Sequence, residues 1–123
     1  MAKRKECLAL FKKRLKLDWV DEELLEQALT HSSFTYESRQ NGLENNQRLE
    51  FLGDAVLELV ISDYLYRNHP GLDEGSLTKL RASVVCEASL ARAARELGLG
   101  LCLLMGKGEE RSGGRERPSI LAD

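Results

Sequence analysis

The chain has little of what staples or anchors a small protein. Its three cysteines, Cys7, Cys86 and Cys102, are odd in number, far apart and without C-x-x-C spacing. A disulfide framework and a zinc site are both disfavoured by that pattern. Cys86 ends the apolar run Val84-Val85-Cys86 and reads as a small buried hydrophobe. No stretch approaches the ~20 apolar residues of a membrane span. The N-terminus is charged at Lys3, Arg4, Lys5 and Glu6 and then amphipathic, without the apolar centre and small-residue cleavage site of a secretory signal. The expectation is a cytoplasmic protein with no membrane partner. Internal repeats, low-complexity linkers and sustained period-two alternation are also missing. Only Leu101 to Met105 offers a weak strand candidate, so the expected fold class is all-α. A length of 123 residues suits one domain.

An excess of positive charge is missing too. The net charge is −2, an unpromising value for a polyanion binder, but the distribution is more informative than the sum. Residues 1–17 carry seven basic and one acidic side chain, residues 18–78 three basic and thirteen acidic, and residues 79–123 eight basic and six acidic. A concentrated acidic middle binds metal ions, repels polyanions, or is a solvated helix face.

Helical spacing places Leu8, Phe11 and Leu15 on one side of residues 5–16. Asp21 to Thr30 opens with acids, which suit a helix N-terminus, and repeats Leu24, Leu25 and Leu29. Residues 31–45 are polar and read as a loop. Residues 46–67 predict a long helix that stops before His69-Pro70-Gly71. Asp73 is placed to cap the next helix, and Ala88 to Leu97 predicts another, ended by Gly98. Residues 98–117 hold six of the ten glycines and read mostly as loop. Pro118 suits the first turn of a last helix.

The helix at 46–67 is the informative element. Apolar residues nearly surround it, which predicts a buried helix, yet it carries Glu50, Asp54 and Glu58. Four residues advance only about 40° round a helix axis, so these acids share one stripe, and Gln47 sits three residues before Glu50. Like charges so close favour a bound cation or an added proton. A hard divalent ion held by carboxylate oxygens is one reading. A polar stripe pairing with Arg48 or with neighbouring helices is the other, and spacing alone leaves both open. Gly53, between two of the acids, costs a helix about 1 kcal/mol against alanine and predicts the close approach of another backbone.

The run Asn46-Gln47-Arg48-Leu49-Glu50-Phe51-Leu52-Gly53-Asp54 resembles the signature of the ribonuclease III family. Further segments agree in order: His31-Ser32-Ser33; Asp73-Glu74-Gly75 followed by Leu77 to Ala82; Gly106-Lys107-Gly108-Glu109; and Ser119 to Asp123. The resemblance implies the all-α helical fold of the ribonuclease III endonuclease domain, working as a homodimer on double-stranded RNA with Mg²⁺, for which Mn²⁺ can substitute. It implies hydrolysis to 5′-phosphate and 3′-hydroxyl ends with two-nucleotide 3′ overhangs. Carried over position by position, Glu50, Asp54 and Asp123 are the catalytic metal ligands, and Phe51 is the side chain inserted into the partner subunit. Gln47, Glu74, Lys79, Arg81, Lys107 and Arg115 are the expected RNA-facing residues.

Two departures stand out. Gln47 occupies a position where the family usually has glutamate. The second acid of the family's later Asp-x-x-Glu motif would follow Asp123, so residues 1–123 read as a catalytic domain lacking its C-terminal part and a double-stranded RNA-binding domain. The alternative these departures favour is a catalytically impaired RNA-binding or dimerisation module of the same fold.

Overall fold

The structure, a computed structural model, describes residues 2–18, 21–38, 42 and 44–123. Its helices run in the order α1 (Ala2–Leu15), α2 (Glu22–Ala28), α3 (Ser32–Glu37), α4 (Gln47–Asn68), α5 (Glu74–Val84), α6 (Glu87–Leu97), α7 (Leu99–Cys102) and α8 (Lys107–Arg111). A 3-10 turn at Gly114–Glu116 then leads into α9 (Pro118–Ala122). Among the described residues there is no strand. The expected all-α class holds, and the Leu101–Met105 candidate amounts to an isolated parallel bridge between Thr30 and Leu104.

The caps follow sequence chemistry. Asp21 Oδ1 accepts the backbone N–H groups of Glu23 (2.9 Å) and Leu24 (3.1 Å), and Asp73 Oδ1 accepts that of Ser76 (2.8 Å). Gly98 closes α6 in the left-handed region at φ 71°, where a side chain is costly. Pro118 sits in the first turn of α9.

Two segments expected as loop are helical. Residues 32–37 form α3 because His31 Nδ1 accepts the Ser33 N–H (3.1 Å) and caps that turn. Residues 39–41 and 43 of the same expected loop lie outside the described residues. Residues 98–117 fold into α7, α8 and the 3-10 turn. Their glycines sit largely at the ends of these pieces, as with Gly98 and the left-handed Gly113 (φ 83°).

Among the described residues, two small cores hold the fold together. Phe11, Leu25, Leu29, Cys102, Leu103 and Met105 join α1, α2 and the α7 region. Ala91, Ala94 and Leu121 join α6 to α9, and small side chains on α6 let the two helices approach closely. Thr30 is fully buried and polar. Its hydroxyl donates to the Glu26 carbonyl (2.5 Å), and its own carbonyl accepts the Asn46 N–H (2.9 Å). A buried hydroxyl satisfied in this way avoids the penalty of an unpaired polar group.

Neither core includes α4, and this corrects the expectation of a buried helix. Only Leu65 of α4 is buried; Phe51 is 84% and Leu59 70% exposed. An all-round apolar helix needs cover on every side, and within this chain its main packing partner is α5. Gly53 likewise meets no atom within 4 Å of where a Cβ would stand, so the close approach it predicted is absent among the described residues. Cys86 is corrected as well. It is exposed at the N-terminal end of α6, its thiol donating to the Ser83 carbonyl (3.4 Å) and the Ser89 hydroxyl (3.3 Å). Val84 and Val85 end α5 there, so the apolar run is a helix boundary and not a core segment.

Candidate active site

The start of α4 is tied down before any acid appears. Besides the Asn46 N–H bond to Thr30, the Asn46 side-chain amide donates to the Ala28 carbonyl (3.1 Å). The Gln47 N–H donates to Asn45 Oδ1 (3.1 Å). These bonds fix the first turn of α4, and with it Glu50, against the end of α2. From the other side, Leu121 packs on Ala91 and Ala94, so α9 lies across α6 and delivers Asp123 to the same place.

The result is a cleft of about 240 Å³ lined by Glu50, Gly53, Asp54 and Asp123, with Leu49, Leu57 and Leu90 as apolar walls. Two acids come from one helix at a spacing of four, and the third arrives from a helix more than sixty residues later. Glu58, one turn beyond Asp54, is exposed and does not line the cleft.

Partial burial pushes the Glu50 carboxyl above the ordinary carboxylate range. The negative charges of Asp123 and Asp54 push the same way, as does a hydrogen bond to Asp123. Every resolved influence on Glu50 therefore opposes its charge, and none of them comes from a positive side chain among the described residues. A carboxylate cluster in that condition takes up a proton or a cation. The donors are all hard oxygens, which fit Mg²⁺ or Mn²⁺ better than a soft metal. Among the described residues, no three His, Cys, Asp or Glu side chains are closed into a finished metal-holding group. The three acids share a cleft but stand open.

The other sequence candidates are distributed round the molecule. Gln47 does not face the acidic cleft. With Phe51 it lines an adjoining groove that also includes Gln27, Arg48 and Leu52. The separation runs along the helix and not round it: Gln47 lies in the angular range of Asp54 and Glu58, but nearly a turn before Glu50, towards the N-terminal end of α4. Glu74 and Arg81 line a third, larger groove between α4 and α5, with Ser62, Asp63 and Tyr66. Arg81 Nη1 donates to the Ser62 hydroxyl there (3.0 Å). Lys79 and Lys107 are exposed on α5 and α8. Arg115 is largely engaged within the fold. Its Nη1 donates to the carbonyls of Gly100 (2.8 Å) and Leu103 (2.7 Å), and its Nε to Glu110 (3.0 Å).

The sequence reading missed Glu37. Its carboxylate accepts the backbone N–H groups of Lys107 (2.8 Å) and Gly108 (3.2 Å), while Ser33 Oγ accepts that of Gly106 (2.9 Å). The backbone hydrogen bonds to Lys107 and Gly108 hold the Glu37 carboxyl below the ordinary range. A signal was available in two halves, His31-Ser-Ser…Glu37 and Gly106-Lys-Gly108, but the pairing between them spans about seventy residues.

Residues 21–123 match the family model described as Ribonuclease-III-like. The chain is similar to Ribonuclease 3 of Pelotomaculum thermopropionicum, 76% identical over 123 residues, covering 100% of this chain and 51% of that protein. It is also similar to Ribonuclease 3 of Desulforamulus reducens, 63% identical, covering 100% of this chain and 50% of that protein. The chain thus spans about half the length of these relatives. Among solved structures it is similar to the nuclease domain of ribonuclease III from Campylobacter jejuni, with a TM-score of 0.82 and 46% identity, covering 92% of this chain and 75% of that one. That structure is described as having structural flexibility in a region involved in dimer formation. Motif order and helical fold agree with these matches, and the chain belongs to the ribonuclease-III-like family.

Proposed function

We propose that this chain forms the catalytic core of a Mg²⁺-dependent endoribonuclease that hydrolyses phosphodiester bonds of double-stranded RNA. The observation carrying the proposal is the cleft that Glu50, Asp54 and Asp123 line together, where burial and the two neighbouring carboxylates oppose the Glu50 charge. Glu50, Asp54 and Asp123 would hold the divalent ion, which when bound lowers the pKa of an attacking water and stabilises the leaving oxyanion. Mn²⁺ would substitute for it. Lys79, Arg81 and Lys107 are the cations proposed to meet RNA phosphates, with Gln47 and Glu74 as further RNA-facing groups. Arg115 joins them only through what its internal bonds leave free. Contact of this kind reads A-form shape and backbone more than base sequence.

A homodimer completes the proposal. Phe51 and the exposed apolar face of α4 would meet a second copy, giving two cleavage sites that leave 5′-phosphate and 3′-hydroxyl ends with two-nucleotide 3′ overhangs. The protein is proposed to work in the cytoplasm. Residues 1–123 are proposed as one catalytic domain, to which relatives of twice the length add further sequence.

The test uses a labelled RNA duplex with Mg²⁺ and two proteins: the chain itself, and the chain joined to the remaining half of its Pelotomaculum relative. Cleavage by the joined protein, abolished by Asp54→Asn, is the expected result. Absence of cleavage with intact folding sinks the proposal. Gln47 and the open arrangement of the acids favour a second reading, a catalytically impaired module that binds duplex RNA or dimerises. It predicts duplex binding that needs no divalent ion and is unchanged by Asp54→Asn.

A further inference from the structure

We propose that Glu37 is a positioning residue for the acidic cleft, acting from α3 through α8 to set Asp123 against Glu50. The proposal rests on the metal-site reading above. Its first element is the grip itself. One carboxylate takes two successive backbone N–H groups at the start of α8, and Ser33 Oγ takes the one before them. Ser33 is itself oriented by His31, whose Nδ1 lies 2.7 Å from its hydroxyl. Charge-assisted bonds of this kind are shorter and stronger than neutral ones.

The second element is steric. A Cβ on Gly106 would stand 2.7 Å from the Ser33 carbonyl oxygen and 2.9 Å from the Glu37 carboxyl, so the docking is closer than any side chain permits. The third is transmission. Glu109 on α8 pairs with Arg117, whose other nitrogen donates to the Ser112 carbonyl (3.2 Å). Arg117 is the N-terminal cap residue of α9, and its carbonyl accepts the N–H groups of Ile120 (3.1 Å) and Leu121 (3.0 Å). Glu109 also packs under Gly114, where a Cβ would stand 2.6 Å from its Cγ. The start of α9 is thus held to α8, and α8 to α3. The α6 contact at Leu121 sets how deep α9 lies. The Glu37 clamp sets where along α4 the residue that caps α9, Asp123, arrives.

The readout is Mn²⁺ affinity of this 123-residue chain, measured from the free-ion electron paramagnetic resonance signal, with far-UV circular dichroism for folding. Wild type should bind Mn²⁺, and Asp54→Asn should abolish binding. Glu37→Ala should weaken affinity about tenfold, the usual scale for groups that orient metal ligands, with stoichiometry unchanged. Glu37→Gln, which keeps an acceptor oxygen, should recover part of the loss. Gly106→Ala should reproduce it without removing an acid, by pushing α8 off Ser33 and Glu37. Failure of wild type to bind Mn²⁺, or indifference to Asp54→Asn, overturns the metal reading itself. Normal wild-type behaviour with full affinity in Glu37→Gln and Gly106→Ala overturns the clamp alone, and these two milder variants decide the matter if Glu37→Ala does not fold.

Discussion

Phe51 separates what this chain does alone from what it does with a partner. At 84% exposure its ring contributes almost nothing to the folded chain. Phe51→Ala should therefore change the chain's own stability by less than about 0.5 kcal/mol, the range for surface substitutions. In a symmetric dimer the same ring would be buried twice. Fully burying a phenylalanine side chain is worth about 1.5–3 kcal/mol, so losing two copies removes at least about 3 kcal/mol, a rise in dimer Kd of at least about a hundredfold. Urea unfolding of dilute protein measures the first quantity, and sedimentation velocity over a concentration series measures the second. Destabilisation of the dilute chain by 2 kcal/mol or more, as a buried core phenylalanine would give, would refute the placement of Phe51 outside the core. A wild-type chain monomeric at every concentration, or a dimer Kd unmoved by the substitution, would refute Phe51 as a partner contact.

Three further outcomes follow from the geometry. Gly53→Ala should stabilise the dilute chain by up to about 1 kcal/mol, because nothing lies where the new methyl would go; destabilisation on thermal melting would mean that another surface covers this face. Asp73→Ala should cost about 1 kcal/mol by removing the cap on Ser76, and an unchanged urea midpoint would show the cap to be idle. The backbone N–H groups of Lys107 and Gly108, and then the charges of Lys107 and Arg111, hold the folded pKa of Glu37 below the ordinary 4.5, so its contribution is present above pH 4.5 and lost as pH falls through the lower folded value. The stability gap between wild type and Glu37→Gln should be full at about pH 6 and close in strong acid. A gap that persists there in urea titrations contradicts that assignment.

Local chemistry was legible along the chain. Asp21, Asp73 and Pro118 sit where their side chains dictate and Gly98 where the lack of one is needed, and the long helix at 46–67 is α4 almost to the residue. The misreadings share a cause. Residues 32–37 and 99–116 are short helical pieces, and the start of α8 is satisfied by a partner far away in sequence, Glu37. Periodicity over a window of eleven or more residues does not register pieces of four to six. Cys86 was misread because an apolar run does not distinguish a core strand of side chains from the edge of a helix.

The acidic helix shows the same division. The sequence by itself determined that Glu50 and Asp54 share a stripe, because helical geometry fixes the relation of residues four apart. It also determined that α4 is apolar all round, but not what covers it, since that depends on which surfaces the rest of the chain brings near. Only the tertiary structure decided that Asp123 meets Glu50, that Gln47 turns into the Phe51 groove, and that α4 stands largely uncovered. The physical reason is the range of the forces. Caps and helical stripes are set by neighbours within a turn or two, whereas the site is assembled by the Thr30–Leu104 bridge, the packing of α9 on α6, and the grip of Glu37 on α8. Each of these joins residues whose separation carries no periodic signal.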